Sequence, residues 1–328
     1  MNVAIFGAGA WGTALATALS LKHRVALWAR DKAQAESMRT SRRNQRYLPD
    51  IAIPTTVEIT SDAASALRDA AVALAATPTG ALRETLGRLR NLAPAVPIVW
   101  ACKGFEPGSA RLPHQIAAEE LGANATSGAL SGPSFALEVA QGRPTALTLA
   151  SRDEAFARSM ALDLHQRALR VYYSTDVAGV EIGGAVKNVM AIATGICDGL
   201  ALGLNARAAL ITRGLAEITR LGVGLGGRPE TFMGLAGAGD LILTCTGDLS
   251  RNRRVGLLLA QGLPLQDVLD QLGHVAEGVY SAQEVQRIAA AQGIEMPITQ
   301  AVCSVLFHGV APREAVEQLL ARDPKGET

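Results

Sequence analysis

Four apolar residues, Val3 to Phe6, run directly into Gly7-Ala8-Gly9-Ala10-Trp11-Gly12 and then into the helix-forming run TALATALS. An apolar stretch of strand length, a GxGxxG turn and a helix former in that order commit the chain to strand, tight turn and helix. Gly7 permits the turn, Gly9 lets backbone approach a pyrophosphate, and Gly12 lets the helix pack close against the strand. The amino terminus of that helix then offers amide donors to phosphate oxygens. The segment is therefore a candidate dinucleotide site.

The second strand, Val25 to Trp28, ends in Ala29-Arg30-Asp31. An acidic residue at this tip holds a free ribose hydroxyl, whereas an arginine pairs with a 2′-phosphate. Arg30 comes first, which favours NADP; Asp31 leaves NAD open, and both can equally be a solvated turn pair.

Residues 41–54 carry Arg42, Arg43 and Arg46 and lead into prolines, so they read as a surface excursion with a solvated charge run. Strand and helix then alternate again: a strand at 71–76, a helix at 80–92, and a strand at 98–101 that ends in Cys102-Lys103-Gly104. Ligands bind outside the carboxyl ends of parallel strands, so Lys103 stands where a phosphate or carbonyl oxygen would lie. Farther on, Gly132 and Ser134 occupy a turn between a strand and a helix start, where Ser134 either caps the helix or faces a ligand. Strands at 145–150 and 170–173 follow, with a helix at 154–164 between them.

From Asp176 onward the periodicity is helical nearly throughout, which places a domain boundary near residue 177. The expectation is an α/β amino-terminal Rossmann-type doubly wound domain (1–177) followed by an all-α carboxy-terminal domain (178–328). The first helix of the second half contains Glu181 to Leu200. There Ile182, Val186, Val189, Ala193 and Ile196 form an apolar stripe, and Gly184, Lys187, Asn188, Ala191 and Asp198 form a second face that reads as kept clear.

Only five of the 31 basic residues are lysines, so Lys187 among glycines and aliphatics stands out. A lysine can give up its proton where an arginine cannot, which suits acid–base work. The competing explanation is a stem packed on the helix with its head in water. Residues 234–256 read as a non-helical glycine-rich patch in which Asp240 is the first charge and Ser250 caps a helix. Arg251, Arg253 and Arg254 sit at the positive end of that helix, an unfavourable place unless an anion binds or an interface covers them. Glu277, in VAEG, either caps a helix or touches a ribose.

Other functions are disfavoured by composition. A net charge of +1 gives no reason to expect nucleic acid. Four dispersed cysteines and five histidines without ligand spacing offer neither a disulfide framework nor a metal site, and a reducing cytoplasm fits them best. The start of the chain has no basic, signal-like region, and no uninterrupted apolar run reaches membrane-spanning length, so membrane insertion is not expected.

The segments GAGAWGTALA (7–16), WACKG (100–104), SGPSFALEVAQGRPTA (131–146), GGAVKNV (183–189), NARAALITRGLAE (205–217) and GLAGAGDLILTCTGDLSRNRR (234–254) together resemble the prokaryotic-type NAD(P)-dependent glycerol-3-phosphate dehydrogenase family. The resemblance implies reversible reduction of dihydroxyacetone phosphate to sn-glycerol 3-phosphate, the backbone precursor of phospholipids. It implies that Lys187 donates and accepts the proton, and that Lys103 touches both cofactor and substrate. Gly132, Ser134, Asp240, Ser250, Arg251 and Asn252 fall on substrate contacts, with Arg251 shared with the cofactor. Ala10, Trp11, Arg30, Ala136, Val275 and Glu277 fall on cofactor positions. Ala10 departs from the serine of many relatives, which removes a hydroxyl contact but no backbone donor. A homodimer through the helical half is implied by the resemblance alone. Two other readings stay open: a different two-domain hydroxyacid dehydrogenase, and an NADP(H)-sensing module without turnover. The set of Lys187, Lys103 and Asp240 argues against the sensor, which needs no acid–base lysine.

Overall fold

The apolar runs of the amino-terminal half form one eight-stranded sheet in the computed structural model, which describes residues 1–273, 276–323 and 326. Its strands are β1 (Asn2–Phe6), β2 (Arg24–Trp28), β5 (Val57–Thr60), β6 (Val72–Ala75), β7 (Ile98–Trp100), β8 (Ser127–Ser131), β9 (Thr145–Ala150) and β10 (Leu169–Ser174); β3 (Arg43–Asn44) and β4 (Leu48–Ala52) make a separate antiparallel pair. The order is β10-β9-β8-β7-β6-β1-β2-β5, parallel at every pairing except β8 with β9. From β1 the chain works outward through β2 to β5, then returns to β6 on the other side of β1 and works outward again. This doubly wound path creates a switch point between β1 and β6. Buried Ile5, Leu15, Leu27, Leu74 and Val99 lie at the centre of the core.

Helices α1 (Ala10–Leu19), α2 (Lys32–Ser41), α3 (Ala63–Ala66), α4 (Leu82–Leu92), α5 (Pro113–Leu121), α6 (Ala136–Ala140) and α7 (Glu154–Leu164) connect the strands. The second half is helical among its described residues: α8 (Val177–Gly199), α9 (Gly203–Gly224), α10 (Pro229–Met233), a π-helical turn (Leu235–Gly239), α11 (Asp240–Thr246), α12 (Arg251–Ala260), α13 (Leu265–Leu272), α14 (Glu277–Ala291), α15 (Pro297–Phe307) and α16 (Pro312–Leu320). The chain divides into two compact units. One is Met1–Glu106 with Arg111–Glu181, and the other is Ile182–Thr328 with Pro107–Ala110.

Four expectations from the sequence need correction. Residues 41–54 are more than a surface excursion. Leu48 and Ile51 of β4 are buried against Ala14 and Val139, and buried Asn44 donates through Nδ2 to the Ala8 carbonyl (2.9 Å) and the Thr13 hydroxyl (2.8 Å). The arginines hid this apolar contribution, although Arg43 and Arg46 themselves are exposed.

Residues 234–256 are helical over most of their length, since the glycines admit a π turn that runs directly into α11. A Cβ on Gly237 would meet the Phe232 carbonyl at 2.1 Å, so backbone packs where a side chain would otherwise stand. The second face of α8 is not kept clear either. Lys187 and Asn188 are each 6% exposed and Ala191 is fully buried. Finally, α8 is long and apolar enough to cross a membrane by length and composition, yet its apolar window is wholly buried within the protein. Its length serves a core, in which the apolar stripe and the face of Lys187 and Asn188 are both buried.

Candidate active site

The glycine-rich turn leaves the carboxyl end of β1 at the switch point, where open parallel sheets bind ligands. Gly7 has φ +116°, a conformation that favours glycine. A Cβ on Gly12 would meet the Gly7 carbonyl at 1.8 Å, whereas one on Gly9 would meet nothing within 4 Å. Two glycines therefore close the turn, and the third opens on unfilled space beside the start of α1, which is what a pyrophosphate requires. Thr77 and Thr79, just past β6, and Ser131, at the end of β8, bury hydroxyls with no hydrogen-bond partner among the described residues. These polar atoms gather at the carboxyl edge of the sheet, so the residues present fit a bound dinucleotide. The sequence offered only a weak signal for the three hydroxyls, their place at the ends of apolar strands.

Ala10, Trp11 and Ala136 join one apolar cluster with Ala14 and Val139, because α1 packs on α6. Arg30 is exposed after β2. Asp31 acts as the N-cap of α2, with Oδ1 accepting from the amides of Ala33 (2.8 Å) and Gln34 (3.3 Å). Lys103 Nζ and Ser134 Oγ each donate to the Gly132 carbonyl at 3.0 Å, which brings three of the named substrate residues together. Ser134 does not cap α6: the N-cap position is Phe135, and no side chain bonds there.

In the helical unit, Lys187 overturns the solvent-exposed explanation. Its ammonium is buried, paired with the Asp240 carboxylate and donating to Thr244 Oγ1 at 2.8 Å. Thr244 in turn donates to the Asp240 carbonyl at 2.7 Å. Asp240 and Thr244 stand one turn apart on α11, so both reach the same point of α8. Thr244 escaped the sequence reading, although its i,i+4 spacing from Asp240 was a usable sign. A buried ammonium beside a carboxylate and a hydroxyl is held in one orientation, as proton transfer demands.

Helix α12 crosses α8 closely, and a Cβ on Gly256 would meet the Ile192 carbonyl at 2.1 Å. Ser250 caps α12, accepting from the Arg253 amide at 3.2 Å. Asn252 Nδ2 donates to Asn188 Oδ1 (3.0 Å), and its own Oδ1 accepts from the Gly278 amide (3.0 Å), linking α8, α12 and α14. Glu277 is the first residue of α14 rather than its N-cap, which is Ala276. Val275 lies outside the described residues. The arginine cluster separates into two kinds. Arg253 pairs with Asp198 (2.8 Å) and Asp248 (3.0 Å), whereas exposed Arg251 and Arg254 form no ion pair among the described residues. Arg253 is thus structural, and Arg251 stands exposed at the helix start.

None of the four cysteines is in a disulfide, and burial pushes the Cys245 thiol up to about 12. A cavity of about 260 Å³ lined by Trp100, His114, Ser127, Ser151 and Arg152 includes none of the residues above. It lies at the amino-terminal side of β8, away from the sheet edge that carries Lys103 and Gly132.

Comparison with known proteins agrees with this arrangement. Residues 2–157 match the family model described as NAD-dependent glycerol-3-phosphate dehydrogenase N-terminus, and residues 176–317 match that described as its C-terminus. The chain is 58% identical to glycerol-3-phosphate dehydrogenase [NAD(P)+] of Dechloromonas aromatica over 100% of its own length and 99% of the relative's. It is 55% identical to the protein of that name from Nitrosomonas europaea, with 100% of both chains covered. The crystal structure of glycerol-3-phosphate dehydrogenase from Coxiella burnetii superimposes with a TM-score of 0.93 at 44% identity, covering 98% of this chain and 99% of that one.

Proposed function

The chain belongs to the NAD-dependent glycerol-3-phosphate dehydrogenase family, and on that premise we propose which of its residues carry the reaction. The enzyme reversibly reduces dihydroxyacetone phosphate to sn-glycerol 3-phosphate with NAD(P)H, supplying the backbone of glycerophospholipids. The observation that carries the assignment is the buried group of Lys187, Asp240 and Thr244.

When bound, the reduced nicotinamide supplies hydride to the ketone carbon. Negative charge then develops on the carbonyl oxygen, and Lys187 stabilises that charge and protonates the oxygen; in the reverse direction it accepts the proton. Asp240 and Thr244 aim the ammonium. Lys103, Gly132 and Ser134 contact the substrate, with Lys103 also touching the cofactor. Ser250, Arg251 and Asn252 hold the phosphate at the start of α12, where an anion offsets the unfavourable placing of Arg251 beside the positive helix end.

Gly7, Gly9, Ala10, Trp11 and Gly12 receive the dinucleotide, and Ala136, Val275 and Glu277 complete its site with a share of Arg251. Residues 1–177 act as the dinucleotide-binding domain and 178–328 as the substrate-binding and catalytic domain. NADP is preferred over NAD because Arg30 is exposed and Asp31 is engaged as a cap. Four cysteines outside any disulfide support a reducing cytoplasm. Exposed Leu204 and Met233 support a homodimer through the helical half, which light scattering tests.

Loss of NADPH absorbance on adding dihydroxyacetone phosphate tests the reaction. Oxidation that requires the phosphate is expected, with NADH slower. Equal rates with unphosphorylated dihydroxyacetone would overturn the role given to Arg251.

A further inference from the structure

Lys103 sits on a short segment that leaves β7, and something must hold that segment. Gly104 has φ +152°, a backbone conformation that favours glycine, and Phe105 beside it is buried. The next residue, Glu106, is gripped from the side. Arg83, at the start of α4, donates through Nε to Glu106 Oε1 (2.8 Å) and through Nη2 to Oε2 (2.9 Å), a two-pronged pairing. The same guanidinium donates to Glu119 (2.7 Å) and Glu120 (3.1 Å) of α5. The Glu106 side chain is 13% exposed and that of Arg83 36%, so the pair lies at the surface and its grip comes from the two-pronged geometry.

Residues 107–110 belong to the second unit, so the chain leaves the first unit at Glu106 and re-enters it at Arg111. Both points are tied down. The Glu106 amide donates to the Arg111 carbonyl (2.9 Å), and Arg111 Nε pairs with Glu119 (3.1 Å). Arg83 thus joins α4, α5 and the exit point through one planar fork, three residues from Lys103.

We propose that Arg83 is a positioning residue: through Glu106 it fixes the Cys102–Glu106 segment so that the Lys103 ammonium keeps its place at the Gly132 carbonyl. Displacing a substrate-contacting group by about 1 Å can cost two orders of magnitude in rate. Lysine cannot replace Arg83, because a single ammonium lacks the two-pronged geometry.

The inference rests on the role given to Lys103, and a double-mutant cycle separates the two. kcat/KM for dihydroxyacetone phosphate is measured for Arg83→Gln, Lys103→Met and the double variant, with circular dichroism as a check of folding. Arg83→Gln is expected to lower kcat/KM by roughly tenfold, and Arg83→Lys by a similar factor. The double variant is expected to match Lys103→Met alone, since a residue that acts only through Lys103 has nothing left to position. An Arg83→Gln enzyme within about twofold of wild type overturns the inference, as does an equal loss in the Lys103→Met background. If Lys103→Met itself is fully active, the role of Lys103 falls and the inference falls with it. Should Arg83→Gln not fold, Glu106→Gln, which keeps one acceptor oxygen, takes its place in the same cycle.

Discussion

At the scale of single residues, the chemistry depends on a lysine kept from water. Lys187 lies among buried aliphatics of α8 and meets Asp240 and Thr244 on α11. Lys187→Ala should leave NADPH affinity within about twofold while lowering kcat on the order of 10³-fold, the scale of a lost general acid. Lys187→Arg should fail nearly as badly, since a guanidinium keeps its proton at working pH. Steady-state kinetics beside a fluorescence titration of NADPH checks both variants, and normal turnover in either one sinks the assignment. Arg30 makes a second test. Arg30→Asp should shift the ratio of kcat/KM values toward NADH by about tenfold or more, the worth of a charge-assisted contact to the 2′-phosphate.

At the scale of elements, close crossings and distant caps hold the helical unit. Gly256 lets α12 approach α8 until its Cα hydrogen meets backbone, because a Cβ there would lie 2.1 Å from the Ile192 carbonyl and 2.7 Å from the Ile196 amide. Backbone cannot rotate away, so Gly256→Ala should cost about 2 kcal/mol or more, read as a lower urea midpoint at unchanged m-value. In α9, Glu217 reaches across 81 residues to accept from the amides of Ile298 (2.6 Å) and Thr299 (3.2 Å) at the start of α15. Burial outweighs those bonds and raises its carboxyl from 4.5 to about 7.

Between those values the unfolded chain has released this proton and the folded one still holds it. Stability from Glu217 is therefore full below pH 4.5 and falls as pH rises toward about 7. The slope is about 1.4 kcal/mol per pH unit. Urea unfolding between pH 5 and 7 should show it, and Glu217→Gln should flatten it; an unchanged slope in the variant would assign the effect elsewhere.

At the scale of the whole molecule, ligand binding and stability are linked. NADPH at about 100 times its Kd should stabilise the folded chain by about 2.7 kcal/mol, visible as a raised melting temperature. Gly9→Val should abolish that rise while leaving the ligand-free melting temperature nearly unchanged. Nothing lies within 4 Å of a Cβ there, so the added side chain fills the space left for pyrophosphate rather than clashing with the fold. A full rise in the variant would remove the glycine turn from the cofactor site.

Periodicity and glycine placement determined much of this protein in advance. The strand before Gly7, the βα alternation, the long helix through Lys187 and the Ser250 cap were legible because each depends on residues within a few positions of one another. What tertiary structure alone decided were the pairings between distant segments. Asp240 and Thr244 with Lys187, Arg83 with Glu106, Glu217 with the start of α15, and the packing of Leu48 and Ile51 against Ala14 and Val139 all join residues from separate elements. Local propensity carries no information about such partners; the cost of burying a charge or an amide unpaired selects them only once the chain has packed.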